Sequence, residues 1–205
     1  MEMTGEQRVP ASQAETWQAL NDPAVLKECV PGCEAIERVS DSEYTVLMTA
    51  RVGPVSAKFK GKLTLSNLNP PRSYSIAFEG QGGVAGFAKG GADVTLTPEG
   101  AEATLLGYRV KASVGGKLAQ IGSRLIDAAA QKVANDFFAA FNDRMAGMHA
   151  AQASSGHAAD AAGHDAHHPE PIPRDPELPD LENTTLAFFA AGALVVFVVA
   201  LLTLL

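Results

Sequence analysis

Two thiols, Cys29 and Cys33, flank a Val-Pro-Gly turn and are the only cysteines among the 205 residues. A zinc site would need further ligands, and residues 1–148 hold no other cysteine and no histidine. A disulfide between the two is disfavoured in a reducing compartment. The pair therefore reads as small buried thiols around a turn. The five histidines, His149, His157, His164, His167 and His168, all lie beyond residue 148. Their tract shows no regular ligand spacing and reads as a solvated stretch, so no metal is assigned. Without histidine, residues 1–148 cannot build Ser-His-Asp or Cys-His catalysis, a histidine base or a histidine-held metal. An enzyme would rest on carboxylates and tyrosines such as Asp93 and Tyr108. No spacing pairs such groups, and no catalytic residue is assigned.

Gly80-Gln-Gly82-Gly-Val-Ala85 matches the relaxed G-x-G-x-x-A pattern of dinucleotide sites and follows a candidate strand. Such a site needs a helix opening on the pyrophosphate. Here the chain runs on through Gly86-Phe-Ala-Lys-Gly90-Gly91 toward another strand. Six glycines in residues 80–91 indicate a bulged or mobile hairpin with close backbone approaches. Val84 and Phe87 near its tip suit either a portal to an apolar pocket or an ordinary glycine hairpin. Lys58, Lys60 and Lys62 alternate with apolar residues, so their ammonium groups emerge on one strand face. That stripe is either a solvated face that discourages edge pairing or a contact for anionic headgroups or a partner's acidic patch.

The elements that must position these residues follow from periodicity. A short strand over Thr4 to Val9 precedes Ser12-Gln-Ala-Glu15, a capping-box spacing that opens a helix carrying Trp17 and Leu20. A second short helix is expected over Ala24 to Glu28. Tyr44, Val46, Met48, Ala50 and Val52 share one face of a strand, as do Phe59, Gly61, Leu63 and Leu65, and then Tyr74, Ile76 and Phe78. Val94 with Leu96, and Ala103 with Leu105, continue the series. Period-two alternation broken by Gly and Pro turns predicts an antiparallel meander with one buried face. A helix over Lys117 to Met148 carries Leu118, Ile121, Leu125, Ala129, Val133, Phe137, Phe141 and Met145 in one stripe. The economical packing is α+β, a curved antiparallel sheet wrapped around the long C-terminal helix.

Charge separates this domain, residues 1–148, from the rest of the chain. The domain has 15 lysines and arginines against 16 acids, whereas residues 149–205 have one arginine against seven acids. A near-neutral domain gives no basic footprint for nucleic acid. Residues 149–185, rich in Ala, His, Asp and Pro, read as a disordered linker with a flexible-coil span of roughly 35 Å. Residues 186–205, LAFFAAGALVVFVVALLTLL, carry no charge and as a helix reach about 30 Å, a bilayer's hydrocarbon thickness. They are expected to form a C-terminal transmembrane anchor. No export signal opens the chain, so the domain is expected to face the cytoplasm from the cytoplasmic membrane.

Several stretches resemble one family. They are Val30-Pro-Gly-Cys-Glu34, Gly53-Pro-Val, Lys58-Phe-Lys-Gly-Lys62, Gly80-Gln-Gly-Gly83, Ala85-Gly-Phe-Ala-Lys-Gly90, and the long Gly115-Gly-Lys-Leu-Ala-Gln-Ile-Gly-Ser-Arg-Leu-Ile-Asp127. Over residues 2 to 145 the chain is similar to the carbon monoxide dehydrogenase G-subunit family, a branch of the START-like (SRPBCC, helix-grip) superfamily. The resemblance implies a seven-stranded sheet gripping the C-terminal helix. It also implies an accessory role beside the molybdenum carbon monoxide dehydrogenase, and a lipophilic ligand between sheet and helix. The cargo expected is a quinone, ubiquinone or menaquinone, exchanged with the membrane pool and not covalently bound. Its lining is expected from Val46, Met48, Phe59, Leu63, Ile76, Phe78, Phe87, Leu125, Val133, Phe137 and Phe141. Lys58, Lys60, Lys62 and Lys89 are the expected face for the dehydrogenase or for headgroups. Two alternatives remain open: a pure membrane anchor without ligand, and an assembly factor for a molybdenum hydroxylase.

Overall fold

The computed structural model describes residues 2–52 and 55–156. The strands are β1 (Glu2–Val9), β2 (Cys33–Arg38), β3 (Glu43–Val52), β4 (Val55–Asn69), β5 (Ser73–Gln81), β6 (Phe87–Pro98) and β7 (Thr104–Gly115), and the helices are α1 (Gln13–Leu20), α2 (Pro23–Cys29) and α3 (Ser123–Gly156). All seven strands form one sheet in the order β1-β7-β6-β5-β4-β3-β2, each neighbouring pair antiparallel. The two short helices carry the chain from β1 on one edge to β2 on the other.

Local chemistry accounts for the helix starts. Ser12 caps α1 by accepting from the Glu15 amide while Glu15 accepts from the Ser12 amide at 3.0 Å, closing the expected box. Asp22 caps α2 ahead of Pro23, whose missing N–H costs nothing at a first turn. Trp17 meets Tyr74 of β5 edge-on, with ring centroids 5.4 Å apart, so α1 covers one end of the sheet.

Three expectations need correction. Alternation predicts no strand at 33–38, yet β2 runs there as an edge strand, with a bulge between Cys33 and Ala35 that removes any clean period. In β7 the buried residues are Thr104, Leu106, Val110 and Ala112, so the expected Leu105 is out of phase, while Ala103 just before the strand is buried as expected. The long helix does not begin at Lys117. A 3-10 turn, Leu118–Ile121, is closed off at Gly122 before α3 starts at Ser123. At its other end α3 passes the expected Met148 and reaches Gly156.

One core lies between the sheet's concave face and the helices. Phe59, Phe137 and Phe141 are fully buried in it, with Met48 and Leu26. Phe137 stacks on Phe141 at 5.5 Å, and Phe138 stacks on Tyr108 of β7 at 5.7 Å. At roughly 1.5–3 kcal/mol for each large apolar side chain taken from water, this aromatic seam accounts for α3's position better than helix propensity does. The rest of the linker and the whole anchor expected over 149–185 and 186–205 lie outside the described residues, and no described helix is long and apolar enough to cross a membrane.

Candidate functional site

Nine of the eleven expected lining residues are buried where sheet and helix meet: Val46, Met48, Phe59, Leu63, Ile76 and Phe78 on the sheet, and Val133, Phe137 and Phe141 on α3. The interior they form is apolar and free of charge. Its two walls differ along their length. Near its start α3 presents Ile126, Ala130, Val133 and Ala134, and further along it presents Phe137, Phe138 and Phe141.

Phe87 and Leu125 do not belong to this lining. Phe87 is 42% exposed and Leu125 52% exposed. Along β6 the buried positions are Ala88, Ala92, Val94 and Leu96, so period two puts Phe87 on the outer face with Lys89. Counting from Leu118 and Ile121 puts Leu125 on the stripe, but the break at Gly122 resets the helical phase. Ile126, Ala130, Val133, Phe137, Phe141 and Met145 form the buried stripe instead.

One end of the sheet is where β3, β5 and β7 finish. There the G-x-G-x-x-A stretch forms a single 3-10 turn, Gly83–Ala85, followed directly by β6. With no helix to face a pyrophosphate, the dinucleotide reading is excluded. The Phe59 ring lies against Gly82 so closely that a Cβ there would overlap it, and a Cβ on Gly86, at φ 119°, would overlap the Gly115 carbonyl. Glycine is therefore a steric requirement at both places. Val84 at the turn's tip is 86% exposed. With Phe87, which packs over Gly115, and Leu125 near the start of α3, it leaves exposed apolar groups at this end.

The outer face carries the lysines. Lys58, Lys60, Lys62 and Lys89 all emerge there, but the stripe is partly neutralised. Lys58 pairs with Glu34 and Lys62 with Glu43, both at 2.8 Å. The Lys58 ammonium, with the Thr49 hydroxyl, holds the Glu34 carboxyl below its ordinary range, and Glu43 holds the Lys62 ammonium above its own. Register aligns Lys62, Glu79, Lys89 and Ser113 across four strands. Lys62 and Lys89 thereby share an open hollow of about 830 Å³ with Lys111, Glu2 and Glu79. Lys58 and Lys60 lie outside that hollow. Lys111 was not visible as part of the set from sequence, because only strand pairing brings it there.

The Asp93 carboxylate accepts from Ser75 Oγ at 2.7 Å and the Tyr108 ring stacks on Phe138, while both residues border an outer hollow with Glu6 and Arg109. Burial pushes both thiols up to about 11, with Glu28 adding to the effect at Cys29. They are protonated at neutral pH and poor nucleophiles. No cluster of metal-ligating side chains occurs among the described residues. Two buried polar atoms have no hydrogen-bond partner among those residues, Tyr44 Oη and Asn142 Oδ1.

Comparison with known proteins agrees with this architecture. Residues 5–146 match the family model for the G subunit of carbon monoxide dehydrogenase (CoxG). Among solved structures, a conserved protein from Geobacillus kaustophilus is 29% identical with a TM-score of 0.68, covering 71% of this chain and 95% of that one. A START superfamily protein from Mycobacterium smegmatis is 14% identical with a TM-score of 0.57, covering 72% and 98%. The Zhui aromatase/cyclase from Streptomyces sp. R1128 is 13% identical with a TM-score of 0.55, covering 71% and 93%. The last two establish a START-like fold and nothing further about activity. No curated protein matches.

Proposed function

The chain belongs to the carbon monoxide dehydrogenase G-subunit (CoxG) family, and from that premise we propose that it is a non-catalytic accessory protein that carries a quinone in its apolar interior. On this reading it also recruits the molybdenum carbon monoxide dehydrogenase to the cytoplasmic membrane, so that CO oxidation feeds the respiratory chain. Residues 186–205 act as the anchor, the stretch beyond α3, residues 157–185, as the tether, and the domain faces the cytoplasm.

The observation that carries the reading is the uncharged interior between sheet and α3, with Val84 and Leu125 left exposed at the end of the sheet where β3, β5 and β7 finish. Each methylene moved from water into such a place is worth about 0.8 kcal/mol, so an isoprenoid tail needs a carrier of this kind to leave the bilayer. The test is deletion of residues 186–205 in cells that make the dehydrogenase. The active dehydrogenase should move from the membrane to the soluble fraction, and CO-dependent respiration should fall. An unchanged membrane fraction would count against recruitment.

A pure anchor without cargo is the second reading, and the outer-face hollow holding Lys62, Lys89 and Lys111 favours it as a protein contact. It predicts the same loss of membrane dehydrogenase with no quinone ever bound. An assembly factor differs from both, because its loss would leave immature enzyme in place of mislocalised active enzyme.

A further inference from the structure

We propose that the Tyr44 hydroxyl is the hydrogen-bond donor by which the interior selects a lipophile bearing a carbonyl or similar acceptor oxygen over a bare hydrocarbon. The inference rests on the reading that the interior takes a lipophilic ligand, and it adds the group that recognises the ligand's polar end.

Tyr44 is 1% exposed and its Oη has no hydrogen-bond partner among the described residues. A buried hydroxyl left unpaired is costly, and phenylalanine would fill the same space without that cost. The other orphan, Asn142 Oδ1, differs in setting. Asn142 donates its amide to the Arg8 carbonyl and borders an outer hollow with Arg8 and Glu99. Tyr44 instead belongs to the apolar core, with Val46 and Met48 next along the same face of β3. Burial raises its pKa above that of an ordinary phenol, with the nearby Arg38 opposing and Asp41 adding to the shift, so the group remains a donor at physiological pH.

Its position gives the ligand a direction. Tyr44 lies near the start of β3, opposite Leu63 of β4, whereas the exposed Val84 lies at the other end of the sheet, where β3 finishes. A donor at this end, close to Arg38 and Asp41, orients an amphipathic lipophile with its oxygen toward the β2–β3 turn and its chain along the apolar core toward Val84. Because Tyr44 is closed off from solvent, the ligand reaches it only when neighbouring side chains move aside.

The test uses the full chain in a fluorinated surfactant, titrated with two probes and read by native mass spectrometry. One probe is 2-methyl-1,4-naphthoquinone carrying a farnesyl chain, and the other is 2-methylnaphthalene carrying the same chain. The unmodified protein should prefer the quinone. Tyr44→Phe should weaken quinone binding by about three- to tenfold, the loss of one hydrogen bond, leave the hydrocarbon's affinity unchanged and not lower the melting temperature. Equal quinone affinity in Tyr44→Phe overturns the donor role and leaves the carrier reading standing. A lower melting temperature with an unchanged ratio of the two affinities also overturns it, because the hydroxyl then serves the fold through a buried water. If neither probe binds the unmodified protein, the carrier reading itself fails.

Discussion

The ring of Phe59 lies against the backbone of Gly82, leaving no room for even a methyl group between β4 and the loop that joins β5 to β6. Phe59 is fully buried, so it has little freedom to retreat. Gly82→Ala should therefore cost about 1–3 kcal/mol, the usual penalty for forcing atoms into a packed core. Urea unfolding monitored by far-UV circular dichroism measures it. Adding Phe59→Leu should return part of the loss. Full stability in Gly82→Ala alone would mean that the ring and the loop are not held together.

The phase of α3 can be tested one residue at a time. Ile126 is buried and Leu125 is half exposed. Ile126→Ala should lower stability by about 2–4 kcal/mol, while Leu125→Ala should stay within about 0.5 kcal/mol. The reverse order would restore an unbroken helix from Lys117.

That pair also shows what the sequence could and could not carry. Repeats of three and four identified Val133, Phe137, Phe141 and Met145 as the buried face of a long helix, and all four are buried. The same count failed at Leu125, because a 3-10 turn advances by about three residues per turn instead of 3.6 and loses phase with the α-helix beyond it. In the strands, alternation placed Tyr44, Val46, Met48, Phe59, Leu63, Tyr74, Ile76 and Phe78 correctly. It misled at Leu105, where the run Ala103, Thr104, Leu105, Leu106 offers two phases and the strand's buried one is set by Leu106, whereas Phe87 was placed in the lining by its apolar character and not by alternation. The outer hollow depends on cross-strand register, which joins Lys62 to Lys89 and Lys111 across positions far apart in the chain. The orphaned Tyr44 hydroxyl needed the surrounding core to be known.

The two thiols predict an alkaline limb in stability. Burial raises both from 9.0 to about 11, so the folded state holds their protons more tightly than the unfolded chain does. That contribution is complete below the unfolded pKa and is lost as pH rises from about 9 to about 11. A Cys29→Ala/Cys33→Ala variant should show a shallower fall in melting temperature across that window than the unmodified protein. Parallel curves would contradict the assignment. At pH 8, alkylation by iodoacetamide should be much slower than in the urea-unfolded chain.

Charge reversal tests the outer hollow. Lys62 and Lys89 are exposed, and the Lys62–Glu43 pair is solvent-facing, so replacing both lysines should change stability by no more than about 1 kcal/mol. If the dehydrogenase docks there, Lys62→Glu/Lys89→Glu should weaken its co-purification, and binding by the unmodified protein should fall with added salt. Undiminished co-purification would remove this face from the docking surface.

The central claim is that a quinone occupies the space between the sheet and α3, and photolabelling of the full chain in native membranes tests it most directly. An azido-substituted quinone is irradiated in place and the labelled peptides are identified by mass spectrometry. A quinone held in the interior predicts labels on β3, β4 and α3, at residues such as Met48, Phe59 and Phe137, that disappear when excess unlabelled quinone is added. Labels confined to residues 186–205, or interior labels that excess quinone does not displace, would contradict it.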